Sequence, residues 1–555
     1  MKPPFYCFCF GLEENTLSKF VQLGFDLFGN VDSGYFFCDG SSNWFGNAIN
    51  SIRDDYDSGR SGDYKKQSYA NINKKLFNAI SDYWGMRPHY YYHEGSKFIC
   101  SNNLLLVSLF SGAKKICRKS MLDCLLFVVP QNNRTWLEDI RVTGPGEHIR
   151  YSLEENSIEI LKKQSCHELS SISGKNIKRT GSIAESYSRY SSYCEKELSE
   201  FPVSMSLSFG SDSRTVLSLI RKNLPKLTAY TFGDNDMIEL KQVRQLATEL
   251  GLQHESVPFS DSYSNFNSIN FSGAVLSGFY MNPFRVHYYS LYKRMEGNRA
   301  AFEGILGSEF IKAELAQNAM ISTVQADHLR GLKLDEAVRK EFGNSKISDE
   351  LTEHGKSNQE DYWNSDDKIK VYAEWALSNI PSFIFAPIYS FLYVRGVFPF
   401  SPFLDRNILA TIFADGYGIT SYNSATYDHP GPIRAVIPEA IAAKHLDKRL
   451  YNTRLSRFFS FRECLSRNKF LLKYIIYLRR AKYEYGNREH SFGQVKNWVI
   501  DDAFGEYMEN RDLYFPYSDN SLITKVNGTA ATIREVLSDE ERVCEIIRDN
   551  MSNLT

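Results

Sequence analysis

The chain has 555 residues and a formal net charge of −1, with 43% hydrophobic and 24% charged residues. This length exceeds what one hydrophobic core supports, so two or three domains are expected. The balanced charge argues against a nucleic-acid-binding protein, and no apolar run reaches the ~18 residues of a transmembrane span. The ten cysteines are scattered without zinc-ligand spacing, which is typical of reduced thiols in a cytoplasmic protein.

Residues 1–165 are predicted to form a β-rich first domain. Short apolar runs between glycine, asparagine and aspartate residues are typical of strands. These runs cover residues 5–10, 34–38, 89–92, 97–100 and 147–151. Residues 166–182 are small, polar and aperiodic, which predicts a linker.

From residue 183 the pattern predicts helices that alternate with strands. A helix is expected over 183–200, because apolar residues recur there at helical spacing. Strands are expected over 203–207, 227–232, 255–259 and 300–305, and helices after residue 213, near 238–250 and over 284–295. This order predicts a doubly wound parallel sheet with its ligand at the carboxyl ends of the strands. The second domain is assigned to residues 183–450, and residues 451–555 to a helical extension of it.

The most specific pattern lies at residues 203–220. An apolar strand runs into Ser208-Phe-Gly-Ser-Asp-Ser213, and an apolar-periodic helix follows directly. The first N–H groups of a helix lack intrahelical partners and favour an anion, and the serine hydroxyls add donors. Asp212 would repel a bare phosphate, which predicts a Mg²⁺ ion between its carboxylate and phosphate groups. A serine-rich turn without a ligand is the alternative at this point.

Several segments in order along the chain resemble the asparagine synthetase family of ATP pyrophosphatases. Residues 208–213 resemble its S-G-G-x-D-S pyrophosphate loop, with Phe209 at the first glycine, and residues 304–310 resemble its S-G-E-G-S-D-E loop. Further similar segments are residues 81–91, 98–102, 135–147, 227–254, 400–405 and 434–444. The resemblance implies a degenerate glutaminase-like α+β sandwich of the N-terminal-nucleophile (Ntn) type, followed by a parallel-sheet pyrophosphatase (PP-loop) domain.

The resemblance also implies the residues of the site. Asp212 and Glu309 would bind Mg²⁺. The register puts Leu446 at the family's catalytic lysine, so either Lys444 or Lys448 is expected to supply that charge. Nucleotide and pyrophosphate would contact Ser206, Ser208, Gly210, Ser211, Asp212, Ser213, Tyr230, Thr231, Phe232, Gly307 and Ser308.

The first domain is expected to lack glutaminase chemistry. The nucleophile of the family is a cysteine at position 2, where this chain has Lys2 followed by Pro3. Cys7 and Cys9 are expected to be buried strand cysteines. Family members with this loss, the β-lactam synthetases and lasso-peptide cyclases, use an amine within their own substrate.

The implied function is therefore an ATP- and Mg²⁺-dependent synthetase that adenylates a carboxylate and joins it to an amine. A small-molecule or peptide substrate is expected, closed intramolecularly as by a lasso-type macrolactam cyclase, with a precursor peptide and companion protease as partners. Arg285, Tyr288 and Arg395 are candidate substrate contacts. Two alternatives stay open: an amidotransferase that uses free ammonia on a small or sugar carboxylate, and a non-catalytic nucleotide-binding descendant.

Overall fold

The computed structural model describes sixteen segments of the chain. These are residues 6–10, 26–30, 34–38, 69–73, 75–162, 167–170, 182–235, 237–263, 266–278, 287–312, 322–421, 436–454, 459–465, 474–475, 477–479 and 521–552. Most of the predicted linker at 166–182, and Arg285, lie outside the described residues.

Two antiparallel sheets form the amino-terminal part. Their strands are β1 Tyr6–Phe10, β2 Asp26–Asn30, β3 Gly34–Cys38, β4 Tyr69–Asn73, β5 Leu76–Ile80, β6 Tyr90–Glu94, β7 Lys97–Ser101, β8 Arg141–Val142, β9 Glu147–Ser152 and β10 Ser157–Lys162. One sheet has the order β2-β3-β1-β7-β6-β8, and the other has the order β10-β9-β5-β4.

The two sheets pack face to face through aromatic side chains. Phe8 of β1 stacks on Phe77 of β5 with ring centroids 4.4 Å apart, and Phe98 of β7 stacks on Tyr151 of β9 at 4.1 Å. Side chains of a strand alternate between its two faces, so Cys7 and Cys9 point to the other face of β1, where they join the larger core. Both are fully buried, as predicted.

The second sheet type is a five-stranded parallel sheet, as predicted. Its strands are β11 Val203–Ser206, β12 Leu227–Phe232, β13 Gln253–Val257, β14 Ala300–Phe302 and β15 Phe398–Phe400, in the order β13-β12-β11-β14-β15. The chain builds outward from β11 on one side and then crosses to β14 on the other. The crevice between the carboxyl ends of β11 and β14 is therefore a topological switch point, where such sheets bind ligands.

Helices surround both parts. The first ten in chain order are α1 Leu104–Ser111, α2 Arg118–Phe127, α3 His167–Ser170, α4 Ile183–Leu198, α5 Ser211–Ile220, α6 Ile238–Leu250, α7 Ser260–Tyr263, α8 Phe266–Ser277, α9 His287–Arg294 and α10 Thr323–Leu329. The remainder is α11 Leu334–Phe342, α12 Lys346–Asn358, α13 Glu360–Asn364, α14 Lys368–Asn379, α15 Ala386–Tyr393, α16 Arg406–Ala414, α17 Ile437–Leu446, α18 Lys448–Asn452, α19 Phe461–Cys464, α20 Ser521–Ser538 and α21 Glu540–Ser552. Two π-helical turns, Gly307–Ile311 and Ile380–Phe385, and the 3₁₀ turns Pro402–Leu404 and Ile419–Ser421 complete the described elements.

The described chain beyond residue 310 is mostly helical, as the sequence predicts. Asp405 caps α16 by accepting hydrogen bonds from the backbone N–H groups of Asn407 and Ile408. Among the described residues, the run Lys368–Tyr393 has the length and apolarity of a membrane span. In its most apolar window, 83% of the residues are buried inside the protein.

A buried ionic cluster joins the first part to the later helices. Asp123 of α2 receives two-pronged hydrogen bonds from Arg134 at 2.7–2.9 Å and lies 2.8 Å from Nε2 of His354 on α12. The backbone N–H of Gln131 donates to the same carboxylate at 3.0 Å. Because the carboxylate is fully buried, its partners must all stay in place to stabilise it.

Candidate active site

Two loops meet at the switch point. We call residues 207–213, between β11 and α5, the first loop, and residues 303–312, after β14, the second loop. Both leave the carboxyl ends of adjacent strands, because Met205 of β11 pairs with Phe302 of β14. The two loops therefore begin side by side at the same edge of the sheet.

Serine hydroxyls and a glycine shape the first loop. Ser213 Oγ donates to the carbonyl of Ser208 and accepts from the Ser208 backbone N–H, both at 3.1 Å. Gly210 occupies the N-cap of α5 and therefore supplies no capping side chain. No side chain at the cap position competes with a ligand for the first N–H groups of α5, which is the arrangement that binds anions.

The end of β12 is tied to the first loop. Leu207 donates its backbone N–H to the carbonyl of Tyr230 at 2.8 Å, and Thr231 Oγ1 donates to the carbonyl of Leu207 at 2.6 Å. Phe232 packs against the ring of Tyr288, with centroids 5.7 Å apart. The structure thus brings the strand end that is expected to contact nucleotide, the first loop and one candidate substrate residue together.

Glycines of the second loop allow it to contact the first. A Cβ at Gly304 would lie 2.8 Å from the backbone nitrogen of Ser213, and a Cβ at Gly307 would lie 2.7 Å from Cγ of Asp212. Contacts below 3.0 Å require displacement of the neighbour. Between them, Leu306 is fully buried with φ of 72°, a left-handed conformation that is uncommon for a branched side chain. The two loops are therefore packed as closely as glycine permits.

Asp212 links the two loops through its carboxylate. Ser308 Oγ donates to Oδ2 of Asp212 at 3.0 Å, and Nζ of Lys312 lies 2.7 Å from the same oxygen. Burial opposes ionisation of Asp212, but the charge of Lys312 and hydrogen bonds from Glu439, Lys312 and Ser308 outweigh it and lower the pKa. Asp212 is therefore an anion at neutral pH, with Lys312 as its counter-ion.

Glu439 is a second buried carboxyl group at this place. It lies in the first turn of α17, which packs along α5, and its side chain is fully buried. Burial raises its pKa well above the usual range; the charge of Lys312 opposes this, and the charge of Asp212 adds to it. We therefore expect Glu439 to be protonated beside the ionised Asp212.

Glu303 is a third buried carboxyl group, directly after β14. Ser206 Oγ, at the end of β11, donates to its Oε1 at 2.7 Å. Burial raises the pKa of Glu303 from 4.5 to about 7, although the hydrogen bond from Ser206 opposes this. Its carboxyl group is consequently able to take up or release a proton near neutral pH.

The first turn of α5 contains buried polar atoms that have no hydrogen-bond partner among the described residues, namely Nε and Nη2 of Arg214 and Oγ1 of Thr215. Beside them, the buried carboxyl of Glu439 on α17 interacts with Asp212 and Ser211. Buried polar groups are normally paired with protein, water or ligand, so this cluster indicates a place where something polar binds.

Its oxygen donors fit a Mg²⁺ ion. Mg²⁺ takes oxygen ligands and is usually held by one or two carboxylates together with substrate phosphates and water. Oδ1 of Asp212, Oγ of Ser211 and the carboxyl of Glu439 are oxygens of this kind. Within the described residues, no group of three or more histidine, cysteine, aspartate or glutamate side chains could hold a metal by itself, so phosphate oxygens would have to complete the shell.

The two lysines that the sequence proposed as catalytic lie in the last turn of α17 and at the first residue of α18. Lys444 and Lys448 are exposed, and the intervening Leu446 accepts a hydrogen bond at 2.7 Å from Lys222, beyond the carboxyl end of α5. Asp212 is at the amino end of α5, about 14 Å away at 1.5 Å per residue. The lysine that the structure places at the two loops is Lys312.

Of the remaining candidate residues, Glu309 lies in the second loop, whereas Arg395 contacts two helices. Glu309 is buried in the π-helical turn beside Ser308. Arg395 donates from Nη1 to the carbonyl of Phe391 at 2.7 Å, and its guanidinium lies 4.8 Å from the ring centre of Tyr289. These contacts hold Arg395 against α15 rather than at the two loops.

Sequence reasoning missed Lys312, Glu439 and Glu303. Glu303 had a usable signal, because a carboxylate directly after an apolar strand lies at the ligand-binding edge of a parallel sheet. Lys312 and Glu439 had none, since each reaches the first loop from a distant part of the chain.

Comparison with models of known protein families finds none that matches this chain, and a search of curated proteins likewise finds no match.

Proposed function

We propose that the protein is an ATP-dependent synthetase that activates a carboxylate as its acyl-adenylate and then joins the acyl group to an amine. One observation carries this proposal: two loops at the switch point of a parallel sheet are in contact around Asp212, and the adjacent first turn of α5 has buried polar atoms without a partner among the described residues. This combination suits an anionic ligand with a divalent cation better than it suits an apolar one.

The reaction needs two displacements. A carboxylate oxygen of the substrate attacks the α-phosphorus of ATP, the bond to the β-phosphate oxygen breaks, and pyrophosphate leaves. The amine nitrogen then attacks the acyl carbon, the bond to AMP breaks, and the nitrogen loses a proton. An amine on the same molecule would make this second step intramolecular, and orientation in the site would favour it.

The residues of the site divide this work. The uncapped N–H groups of α5 and the hydroxyls of Ser208 and Ser213 would hold the pyrophosphate portion. The end of β12 would hold the adenine through its backbone. Asp212, with Glu439 beside it, would hold a Mg²⁺ ion, which supplies positive charge to the phosphates when bound.

Glu303 is proposed as the acceptor of the amine proton. A general base works best when its pKa is near the operating pH, and the pKa of Glu303 is about 7. Its carboxyl lies between the ends of β11 and β14, at the edge of the sheet where the substrate would bind.

The first test is a titration of the protein with ATP in the presence of Mg²⁺, measured by calorimetry. We expect the wild-type protein to bind and Asp212→Asn to bind at least about tenfold more weakly, because the loss of one charge-assisted contact costs about 1.5–3 kcal/mol. Lys444→Ala and Lys448→Ala are matched controls that remove exposed charges far from the loops and should leave affinity unchanged.

Turnover is tested by release of AMP and pyrophosphate with pools of small acids, sugar acids and peptides. Release of AMP that depends on added ammonium would identify the amidotransferase alternative. Binding of ATP without turnover in any pool would favour the non-catalytic alternative. Full activity of Asp212→Asn would contradict the proposed site.

A further inference from the structure

Arg214 is a buried cation in the first turn of α5. It follows Asp212 by two residues, and among the described residues it is the largest side chain with no exposed surface. Lys, Arg, Asp and Glu are almost never fully buried unless they are paired. The position of this guanidinium therefore requires an explanation.

One edge of the guanidinium has no partner in the part of the chain that the structure describes. Nη1 donates to the backbone carbonyl of Arg454, and the guanidinium carbon lies 3.9 Å from the ring centre of Phe209 in the first loop. Nε and Nη2, however, have no hydrogen-bond partner among the described residues. The free edge is thus fixed in place by contacts on the other side and on the face.

This edge is the one with which arginine binds oxyanions in two-pronged fashion. Three other arginines of this chain use the same Nε–Nη2 edge to hold a carboxylate. These pairs are Arg118 with Glu350, Arg134 with Asp123, and Arg221 with Asp447. Arg214 presents the same edge, with no carboxylate against it among the described residues.

Two hydroxyl groups lie on the same face of α5. Residues three and four apart are neighbours on a helix surface, so Ser211, Arg214 and Thr215 form one patch. Oγ1 of Thr215 is also buried and unpartnered within the described residues, and Ser211 is buried beside it. The patch thus offers a fixed guanidinium edge and two hydroxyl donors beside the uncapped amino end of a helix.

A fully buried guanidinium is costly unless an anion accompanies it. The described carboxyl of Glu439 does not serve Arg214, because it interacts with Asp212 and Ser211.

We propose that the Nε–Nη2 edge of Arg214 binds a phosphate oxyanion of a polyphosphate at the first loop, with Phe209 stacked on the guanidinium to hold its plane. The assignment of this anion as the pyrophosphate portion of ATP rests on the proposed function. Phe209 and Arg214 work together in this proposal. The ring of Phe209, at the position of a glycine in the family's loop, covers one face of the Arg214 guanidinium.

Titration with inorganic pyrophosphate, without ATP or substrate, tests this directly. We expect Arg214→Gln to weaken pyrophosphate binding by about 10- to 100-fold, since two charge-assisted hydrogen bonds are lost. Phe209→Leu should weaken it less, because the cation remains. Arg221→Gln is the matched control, because it removes an arginine just beyond the carboxyl end of α5, and it should bind like the wild type.

Orthophosphate and acetate serve as comparison anions. A pyrophosphate affinity well above the affinities for orthophosphate and acetate supports a polyphosphate site. An acetate affinity equal to that of pyrophosphate would overturn the assignment to phosphate. Pyrophosphate affinity that is unchanged in Arg214→Gln would overturn the proposal altogether.

Thermal unfolding of Arg214→Met provides an independent measurement. An apolar replacement of an unpaired buried charge is often neutral or stabilising, so this variant should melt at or above the wild-type temperature without anion. Pyrophosphate should raise the melting temperature of the wild type but not of the variant. A large loss of melting temperature in Arg214→Met, with an undiminished pyrophosphate shift, would mean that a carboxylate of the chain already pairs with Arg214.

Failure to form AMP while pyrophosphate still binds through Arg214 would count against the proposed function alone.

Discussion

Glu303 allows a quantitative test of the electrostatics of the site. Its carboxyl is 2% exposed at the end of β14, and burial raises its pKa from 4.5 to about 7. Between these two values the folded protein holds a proton that the unfolded chain has released. The free energy of unfolding must therefore fall as the pH rises through this window.

The change Glu303→Gln removes this titration. The amide oxygen of glutamine still accepts the hydrogen bond that Ser206 donates at 2.7 Å, so packing and hydrogen bonding change little. One pKa unit corresponds to about 1.4 kcal/mol, and a displacement from 4.5 to about 7 therefore corresponds to about 3 kcal/mol. The wild type should lose this stability between the lower and the upper limit of the window, and the variant should not.

Urea unfolding at several pH values between about 5 and about 8 measures the effect. We expect the stability of Glu303→Gln relative to the wild type to increase by about 2–3 kcal/mol across this range. Glu255→Gln, an exposed position on β13 of the same sheet, is the control and should show no such pH dependence. A constant difference between Glu303→Gln and the wild type at every pH would refute the reasoning, because it would mean that Glu303 titrates alike in both states.

Three further predictions concern packing and charge. Gly307→Ala should destabilise the protein by about 1–3 kcal/mol, because the new Cβ would lie 2.7 Å from Cγ of Asp212 in the first loop. Gly210→Ala, whose Cβ meets a flexible serine side chain at 3.2 Å, should cost clearly less, and equal costs in chemical denaturation would contradict the close contact of the loops. Asp123→Ala should cost about 3–5 kcal/mol, because it leaves the buried arginine of the ionic cluster without its anion, and a loss below about 1 kcal/mol in the same assay would show that this cluster does not hold the two parts together. If the proposed synthetase turns over, Lys444→Ala and Lys448→Ala should each keep wild-type kcat, and a large loss in either would restore the lysine assignment made from the sequence.

Local patterns predicted the elements that frame the site. The strand–loop–helix at residues 203–220 was predictable because an apolar strand, small turn residues and a helical repeat follow one another directly along the chain. The strand at 227–232 and the helix at 238–250 agree with the structure to the residue, since their apolar periods are unambiguous. The strand expected at 255–259 is instead Gln253–Val257, because its polar residues pair with β12 through the backbone, which requires no apolar side chain.

The composition of the site was decided by tertiary contacts. Lys312 lies 100 residues from Asp212 along the chain, and Glu439 reaches the same turn only because α17 packs along α5. The same packing of α17 on α5 places Lys444 and Lys448 towards the carboxyl end of α5, where Leu446 contacts Lys222. This placement depends on the direction of α17 relative to α5.

The sequence by itself thus determined a parallel sheet, the strand–loop–helix that frames the site and buried strand cysteines, because each depends on neighbouring residues and their periodicity. Only the tertiary structure decided which charges face that loop, since burial and distance, which set the charge state of Glu303 and Glu439 and leave an edge of Arg214 open, exist only after distant segments have packed together.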